Sequence, residues 1–313
     1  MARYLAGRLL VMIPTIVVLS LALFVLMRLT PGSPLQPIAP NANPLSPEQQ
    51  ENLAKEWGLD KPILEQYVVY VWKALHLDFG TSYLFKSRTV IEILGPTFPV
   101  SLHLGLMALT LAIIVGVSLG VLAAVNQNGP FDYICTFIAM LGVAIPNFVM
   151  AIVFIIVLVM GLKLIPYTGG WEDPVDWIMP TIVLSLGPLA VISRYTRSSM
   201  IEVIRSDYVR TARAKGASEG RVMLIHVLKN ALIPPLTILG PLVAAVATGS
   251  PFVEIIFRVP GMGRYFIESV LARDYPVIMA VFLFYGVFLQ AMNLVVDLLY
   301  GVVDPRIRFG GGD

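Results

Sequence analysis

Asp207 to Asn230 reads DYVRTARAKGASEGRVMLIHVLKN, a basic, helix-prone segment with long apolar runs on either side. Asp207 is placed to cap a short helix over Tyr208 to Lys215. Gly216 suits the left-handed residue that ends it, and Ser218 can cap the helix that follows. The expected shape is an elbow. Its first arm interleaves Ala212 and Ala214 with Arg210, Arg213 and Lys215, so it is too polar to enter lipid and too short to be stable alone. Such an arm either docks into a partner or rests as a solvated basic loop on anionic lipid.

The surrounding sequence sets the context. Hydrophobic residues make up 57% of the 313 and charged residues 13%, with a mean hydropathy of +0.79, well outside the range of soluble domains. A net charge of +2 gives no general attraction to nucleic acid, so what matters is where the charges sit. Charge-free runs cover Leu9 to Met27, Ile93 to Phe131, Tyr133 to Leu162, Trp177 to Ser193, Asn230 to Val253 and Tyr275 to Val296. Each is close to or above the roughly 20 residues a helix needs to cross hydrocarbon. The expected fold is therefore all-α and integral to the membrane, with about six transmembrane helices. The fourth, shortest run gains length from Arg194 reaching toward headgroups, and NQNGP at Asn126 to Pro130 reads as a turn. Arg3 and Arg8 ahead of an apolar core also suit a signal peptide, but no small-x-small cleavage site follows, so residues 1–30 are assigned to the first span. Residues 31–92 form an extracytoplasmic helical region, 93–300 the transmembrane core with its polar loop 194–230, and 301–313 a tail.

Basic residues orient the bundle. Arg194, Arg197, Arg205, Arg210, Arg213, Lys215, Arg221 and Lys229 lie between the fourth and fifth runs, on the side that six spans also assign to Arg3, Arg8, Arg306 and Arg308. That side, with both termini, is expected to be cytoplasmic. In the region between the first two spans, Ser46 can cap a helix with Pro47 at its first position, and Gly58 can stop it. Asp60-Lys61-Pro62 starts another helix, in which Ile63, Tyr67, Val71 and Leu75 share an apolar face expected to pack on the bundle or lie at the membrane surface.

Several residues inside the runs invite chemical readings. Pro146 in GVAIPNF removes a backbone donor and bends the third helix, while Asn147 adds an amide that must face protein or a water-filled path. Pro188 is expected to break the fourth helix and Pro234-Pro235 to open the fifth. Breaks of this kind fit a passage or simple packing. Asp297 is the clearest acid near the lipid core; structural use and a role in a pathway are both open. His103 has no charged partner in sequence for a proton relay. The lone Cys135 fits packing, and Glu172, Asp173 and Asp176 in the external YTGGWEDP loop fit a solvated turn rather than an EF-hand. No P-loop pattern occurs, so any ATP must be used elsewhere.

Taken together, these residues resemble the EAA loop of ABC importer permeases. Tyr208 to Asn230, with YVRTARAKG, is similar to the dipeptide/oligopeptide/nickel permease family in particular. WGLDKPILEQY (Trp57 to Tyr67), DFGTS (Asp78 to Ser82), SLGVLAA (Ser118 to Ala124), VPGMGRYFIESVLARDYPV (Val259 to Val277) and NLVVDLLYGVVDPRIR (Asn293 to Arg308) agree in order. The likeness is strongest to the first permease subunit, the dipeptide-permease B type. Departures exist: Arg210-Thr211-Ala212 stands where the loop's Glu-Ala-Ala would be, no proline follows Leu228, and PGDP is Pro31-Gly32-Ser33-Pro34.

The resemblance implies a type I importer. This chain would pair with a second homologous permease, two ATPase subunits would bind below, and an extracytoplasmic binding protein would deliver peptide above. ATP and Mg would bind in the partner subunits, so the chain would carry no cofactor and no catalytic residue of its own. Tyr208, Arg210, Ala212, Arg213, Lys215, Gly216 and Ser218 would couple to the ATPases, with Pro146, Asn147 and Asp297 as pathway candidates. Segments 163–176 and 254–275 would meet the binding protein. Nickel or glutathione importers of the same family, and an ion-coupled secondary carrier from a different class, are the alternatives.

Overall fold

The computed structural model describes residues 2–30, 35, 46–85, 88–165, 169–247 and 249–303. The Pro31 to Pro34 motif and the tail beyond Val303 lie outside them. Among the described residues no strand forms, only an isolated antiparallel bridge between Thr81 and Thr89. The chain divides into two units: Met1–Pro99 with Gly261–Ala291, and Val100–Pro260 with Met292–Arg308.

The first unit contains α1 (Ala2–Leu29), α2 (Pro47–Glu56), α3 (Ile63–Leu75), the start of α4 (Val90–Val125), α12 (Met262–Ala272) and most of α13 (Tyr275–Val303). Pro47 opens α2, and Gly58 at φ +66 ends the turn that follows it, as the capping signals require. α3 lies along α1: Tyr67 Oη is 2.9 Å from Ser20 Oγ, and the Phe24 and Tyr67 rings are 5.4 Å apart. The face of α3 that packs is therefore the one carrying Gln66, Tyr67 and Tyr70. Of the stripe expected from sequence, Ile63 and Leu75 are 61% and 73% exposed. Asp274, just before α13, is fully buried and accepts bonds from Ser82 Oγ and the backbone N–H groups of Tyr83 and Leu84. It thereby fixes the DFGTS segment that ends the α3 region.

The second unit contains the rest of α4, then α5 (Pro130–Ala144), α6 (Asn147–Gly161), α7 (Ile178–Ile204), α8 (Asp207–Ala214), α9 (Glu219–Ala231), α10 (Ile233–Ala247) and α11 (Pro251–Ile256). Four helices are long and apolar enough to cross a membrane, or up to six if each bent pair counts as one span. The bent pairs are α5 with α6, at 111°, and α9 with α10, at 47°. The predicted turn at Asn126 to Pro130 separates α4 from α5.

Two sequence expectations about prolines need correction. Pro146 does more than bend a helix: Ile145 before it is extended (φ −105, ψ 125) and Pro146 starts a new helix, so the third run is two arms set at 111°. Pro188 does less than expected, because α7 runs unbroken through it. Pro188 is buried, and α7 is gripped on two sides by neighbours that approach to backbone distance. A Cβ on Gly116 would lie 2.9 Å from the Leu189 carbonyl oxygen, one on Gly120 2.6 Å from that of Ser193, and one on Gly142 2.3 Å from that of Leu186. Small residues four apart on α4 let α7 lie close enough for neighbouring helices to hold a proline-containing segment straight. α7 also continues to Ile204, well past the expected end at Ser193, so Arg194 and Arg197 are helical residues and not loop cations.

Two apolar clusters occupy the second unit. The larger packs Leu104, Ala108, Ala112, Val183, Leu189, Ile192 and Val253. The smaller packs Ala124, Met200, Val209, Val222, Val227 and Ala231.

Candidate coupling loop

The elbow forms between α7 and α10. α7 ends at Ile204, Arg205 and Ser206 turn the chain, and α8 begins at Asp207. Ser206, with extended backbone (φ −70, ψ 152), holds the N-cap position expected of Asp207, which is instead the first helical residue. Its acid still lies favourably in the first turn, beside the helix's positive end. Gly216 adopts φ +81, and the Ala217 N–H returns to the Ala212 carbonyl at 3.2 Å, closing the helix C-terminus. Ser218 occupies the next N-cap position but makes no side-chain cap bond; its carbonyl accepts from Val222.

Val209 anchors this short helix. It is fully buried against Met200 at the end of α7 and against Val222, Val227 and Ala231 of α9, with Ala212 and Ala217 packed alongside. Val222–Leu228 is π-helical, a geometry that often marks functional positions. Around the anchor, Tyr208, Arg210, Arg213 and Lys215 are exposed. Arg213 donates to both carboxylate oxygens of Glu219, at 2.8 and 3.2 Å, across the elbow, and that hydrogen-bonded partner raises its pKa. Asn230 Nδ2 donates to Tyr208 Oη at 3.1 Å, and Arg210 reaches Asp207 at 3.4 Å. The elbow is thus an amphipathic hook: one side is docked on its own chain, and the other presents aromatic, cationic and small residues. The seven elbow residues come together here.

The pathway candidates lie on α6 and α13. Pro146 is exposed and Asn147 half-buried at the start of α6, and neither lines the cavity of about 620 Å3 or that of about 120 Å3. Asp297 lies on α13, and its side chain is outside the described structure.

Sequence reading missed three buried acids, Asp274 described above and two in the second unit. Asp132, in the first turn of α5, is 4% exposed and takes a two-pronged contact from Arg197 of α7, Nε to Oδ1 at 2.6 Å and Nη2 to Oδ2 at 2.7 Å. The Asn128 N–H at 2.9 Å and the Thr136 hydroxyl at 3.3 Å also donate to it. Glu254 in α11 is fully buried and accepts from Ser101 Oγ at 2.8 Å. The available signal was that each interrupts or ends an apolar run, where an acid needs a partner.

The α7-to-α9 geometry lies within a region that matches a known family. The model for the binding-protein-dependent transport system inner membrane component matches residues 116–309. This chain belongs to that family. The inner membrane component is 45% identical over 308 residues, 98% of each chain, to the dipeptide transport system permease protein DppB of Bacillus subtilis (strain 168). It is 39% identical over 311 residues, 99% of its length and 100% of the relative's, to the oligopeptide transport system permease protein OppB of Haemophilus influenzae. A solved chain of the MetNI methionine ABC transporter, in inward-facing conformations, shares its fold with a TM-score of 0.53. That match is at 14% identity and covers 68% of this chain and 96% of the other. The inner membrane component is accordingly a multi-pass membrane protein, and its helices have the ABC importer permease fold.

Proposed function

We propose that this chain is the transmembrane permease subunit of an ATP-driven importer and forms half of the translocation pathway for di- and oligopeptides. A separate extracytoplasmic protein delivers the substrate, a second homologous permease completes the pathway, and two ATPase subunits that hold ATP and Mg seat the elbow. The chain lies in a bacterial inner membrane with both termini and the elbow on the cytoplasmic side. Full-length relatives named for dipeptide and oligopeptide transport support the substrate class.

The observation that carries the mechanism is Val209. Because that side chain sits among residues of α7 and α9, a push on α8 reaches two membrane helices at once. Packed cores pass on displacement because their groups have little room to yield. Arg213 and Lys215 supply charge at the exposed face and Gly216 allows close approach there, while Ala212 packs on the inner side. α9 hands the motion to α10 across the 47° bend at Leu232, and the Asp132–Arg197 pair makes α5 follow α7. Motion of this kind switches the pathway between inward- and outward-open forms.

The test is cross-linking in the assembled complex. A cysteine replacing exposed Ala214 should form a bond with a cysteine in the ATPase groove, and the yield should change between ATP-bound and nucleotide-free states. A yield of zero in both states, in a complex that still transports, would defeat the reading.

A further inference from the structure

The larger cavity, about 620 Å3, lies within the first unit, where α1, α3 and the start of α13 converge. Its polar lining is strongly biased: Arg28, Lys55, Lys61 and Lys73 face a single acid, Asp78. The three lysines are paired with Glu51, Glu65 and Asp78 at 2.6, 3.0 and 3.9 Å, through exposed contacts. Such pairs are weak and exchange readily for a better anion. Arg28 is different. Its guanidinium donates to the neutral Gln66 amide oxygen and lies 5.3 Å over the Phe24 ring, and among the described residues it has no acidic partner. The Tyr70 hydroxyl, which also lines the cavity, is buried without a hydrogen-bond partner. Burial keeps that phenol protonated, so it is available as a donor.

The membrane level of the cavity follows from α1. Arg28 is one residue from the end of the apolar span Leu10–Leu29, and Tyr67 of α3 meets Ser20, nine residues inside it. At 1.5 Å per residue, that contact lies roughly 14 Å below the end of the span. On its other side α3 exposes Leu64, Val68, Trp72 and Leu75, a stripe spaced by four, four and three residues. The stripe, with a tryptophan in it, therefore lies beside the outer half of the span, where a helix presents such side chains to acyl chains.

We propose that this cavity is a binding site for the phosphodiester headgroup of an anionic phospholipid, drawn from the lipid layer that the outer stripe of α3 faces. Arg28 and Lys73 hold the phosphate from the membrane side, Lys55 and Lys61 from the aqueous side, and Tyr70 donates to one of its oxygens. The inference rests on the chain crossing a membrane and not on what it transports.

The test uses the assembled complex in nanodiscs of phosphatidylcholine containing one-fifth phosphatidylglycerol. Native mass spectrometry counts the phosphatidylglycerol retained by wild type, by Arg28→Gln, by Lys61→Gln on an exposed turn, and by Arg28→Lys. Each lost cation should lower retention about fivefold, the ratio that about 1 kcal/mol per surface cation represents, and Arg28→Lys should restore most of it. Unchanged retention in both glutamine variants overturns the site. Displacement of the lipid by millimolar inorganic phosphate also overturns it, in favour of a free-anion site. Failure of brominated lipids to quench Trp72 overturns it as well, because the α3 stripe then faces another protein chain. None of these readouts depends on transport, so they can fail while the importer reading stands.

Discussion

Removing Arg197 should cost more than removing Asp132, although either change deletes the same ion pair. Asp132 is 4% exposed and Arg197 32% exposed. In Arg197→Ala the carboxylate stays buried with only the Asn128 N–H and the Thr136 hydroxyl to hold its charge. Orphaning one member of a buried pair typically costs about 3–5 kcal/mol, and the two remaining donors place this case at about 3. In Asp132→Ala the guanidinium can swing on its flexible stem into water, and the Asn128 N–H is on an exposed residue. What remains is the loss of charge-assisted bonds, about 2 kcal/mol. The double variant Asp132→Ala/Arg197→Ala should be no worse than Arg197→Ala alone, because it strands no charge. Resistance of the purified complex to unfolding by SDS, with the four proteins compared as a double-mutant cycle, reads these differences. Equal losses, or a larger loss for Asp132→Ala, would show that solvent access does not set the cost and would refute the reasoning.

Four further outcomes follow from the same structure. Gly216 has φ +81 and open space where a Cβ would go, so Gly216→Val should cost only the left-handed backbone penalty of about 1–2 kcal/mol. It should leave membrane insertion intact while uncoupling ATP hydrolysis from uptake; normal uptake would count against the coupling role. Gly142→Ala would drive a Cβ to 2.3 Å from the Leu186 carbonyl oxygen, and the overpacking should destabilise by about 3 kcal/mol in the same SDS titration, more than Gly216→Ala does. Val209→Ala should lose about 2 kcal/mol of docking energy and hasten proteolysis between Arg205 and Ser218, whereas an unchanged cleavage rate would mean that Val209 is not the anchor. Thr196 Oγ1 is buried without a partner, so Thr196→Val, of nearly the same shape, should be neutral or stabilising by about 1 kcal/mol in thermal melting, and clear destabilisation would reveal an unseen bond.

The parts of this molecule that sequence made legible are those fixed by local chemistry. Gly216 and Ser218 occupy their expected backbone positions because a left-handed stop and an extended cap are decided within a few residues; the shift from Asp207 to Ser206 is one residue, where either type serves. Proline is less predictable, since the same residue turns the chain by 111° at Pro146 and leaves α7 unbroken at Pro188. The difference lies in the neighbours. Pro188 sits where α7 is clamped by Gly116 and Gly142, residues 46 or more positions away, and no window of sequence contains that information. The same holds for Asp132 and Arg197, 65 residues apart. On α3 the periodicity was visible, but which apolar stripe meets α1 was decided by Ser20 and Arg28 choosing Tyr67 and Gln66.

The layering of α7 bears on how a push at the elbow becomes movement. Its upper stretch, with Leu189 and Ile192, belongs to the large cluster, and its lower end at Met200 to the small one that holds Val209. Between them α7 presents Ser193, Thr196 and Ser199, and α4 answers with Gly120, so the layer separating the two cores is built from small and polar groups. Such a layer leaves at least one hydroxyl unpaired but brings α4 and α7 to backbone distance, so it holds the two helices together between the cores. On the proposed coupling role, a displacement of α8 would therefore pass from the small cluster along the unbroken α7 to the large one. On that role, a helix of eight residues anchored by one valine would serve as a handle, because it would move a packed block and not a single side chain.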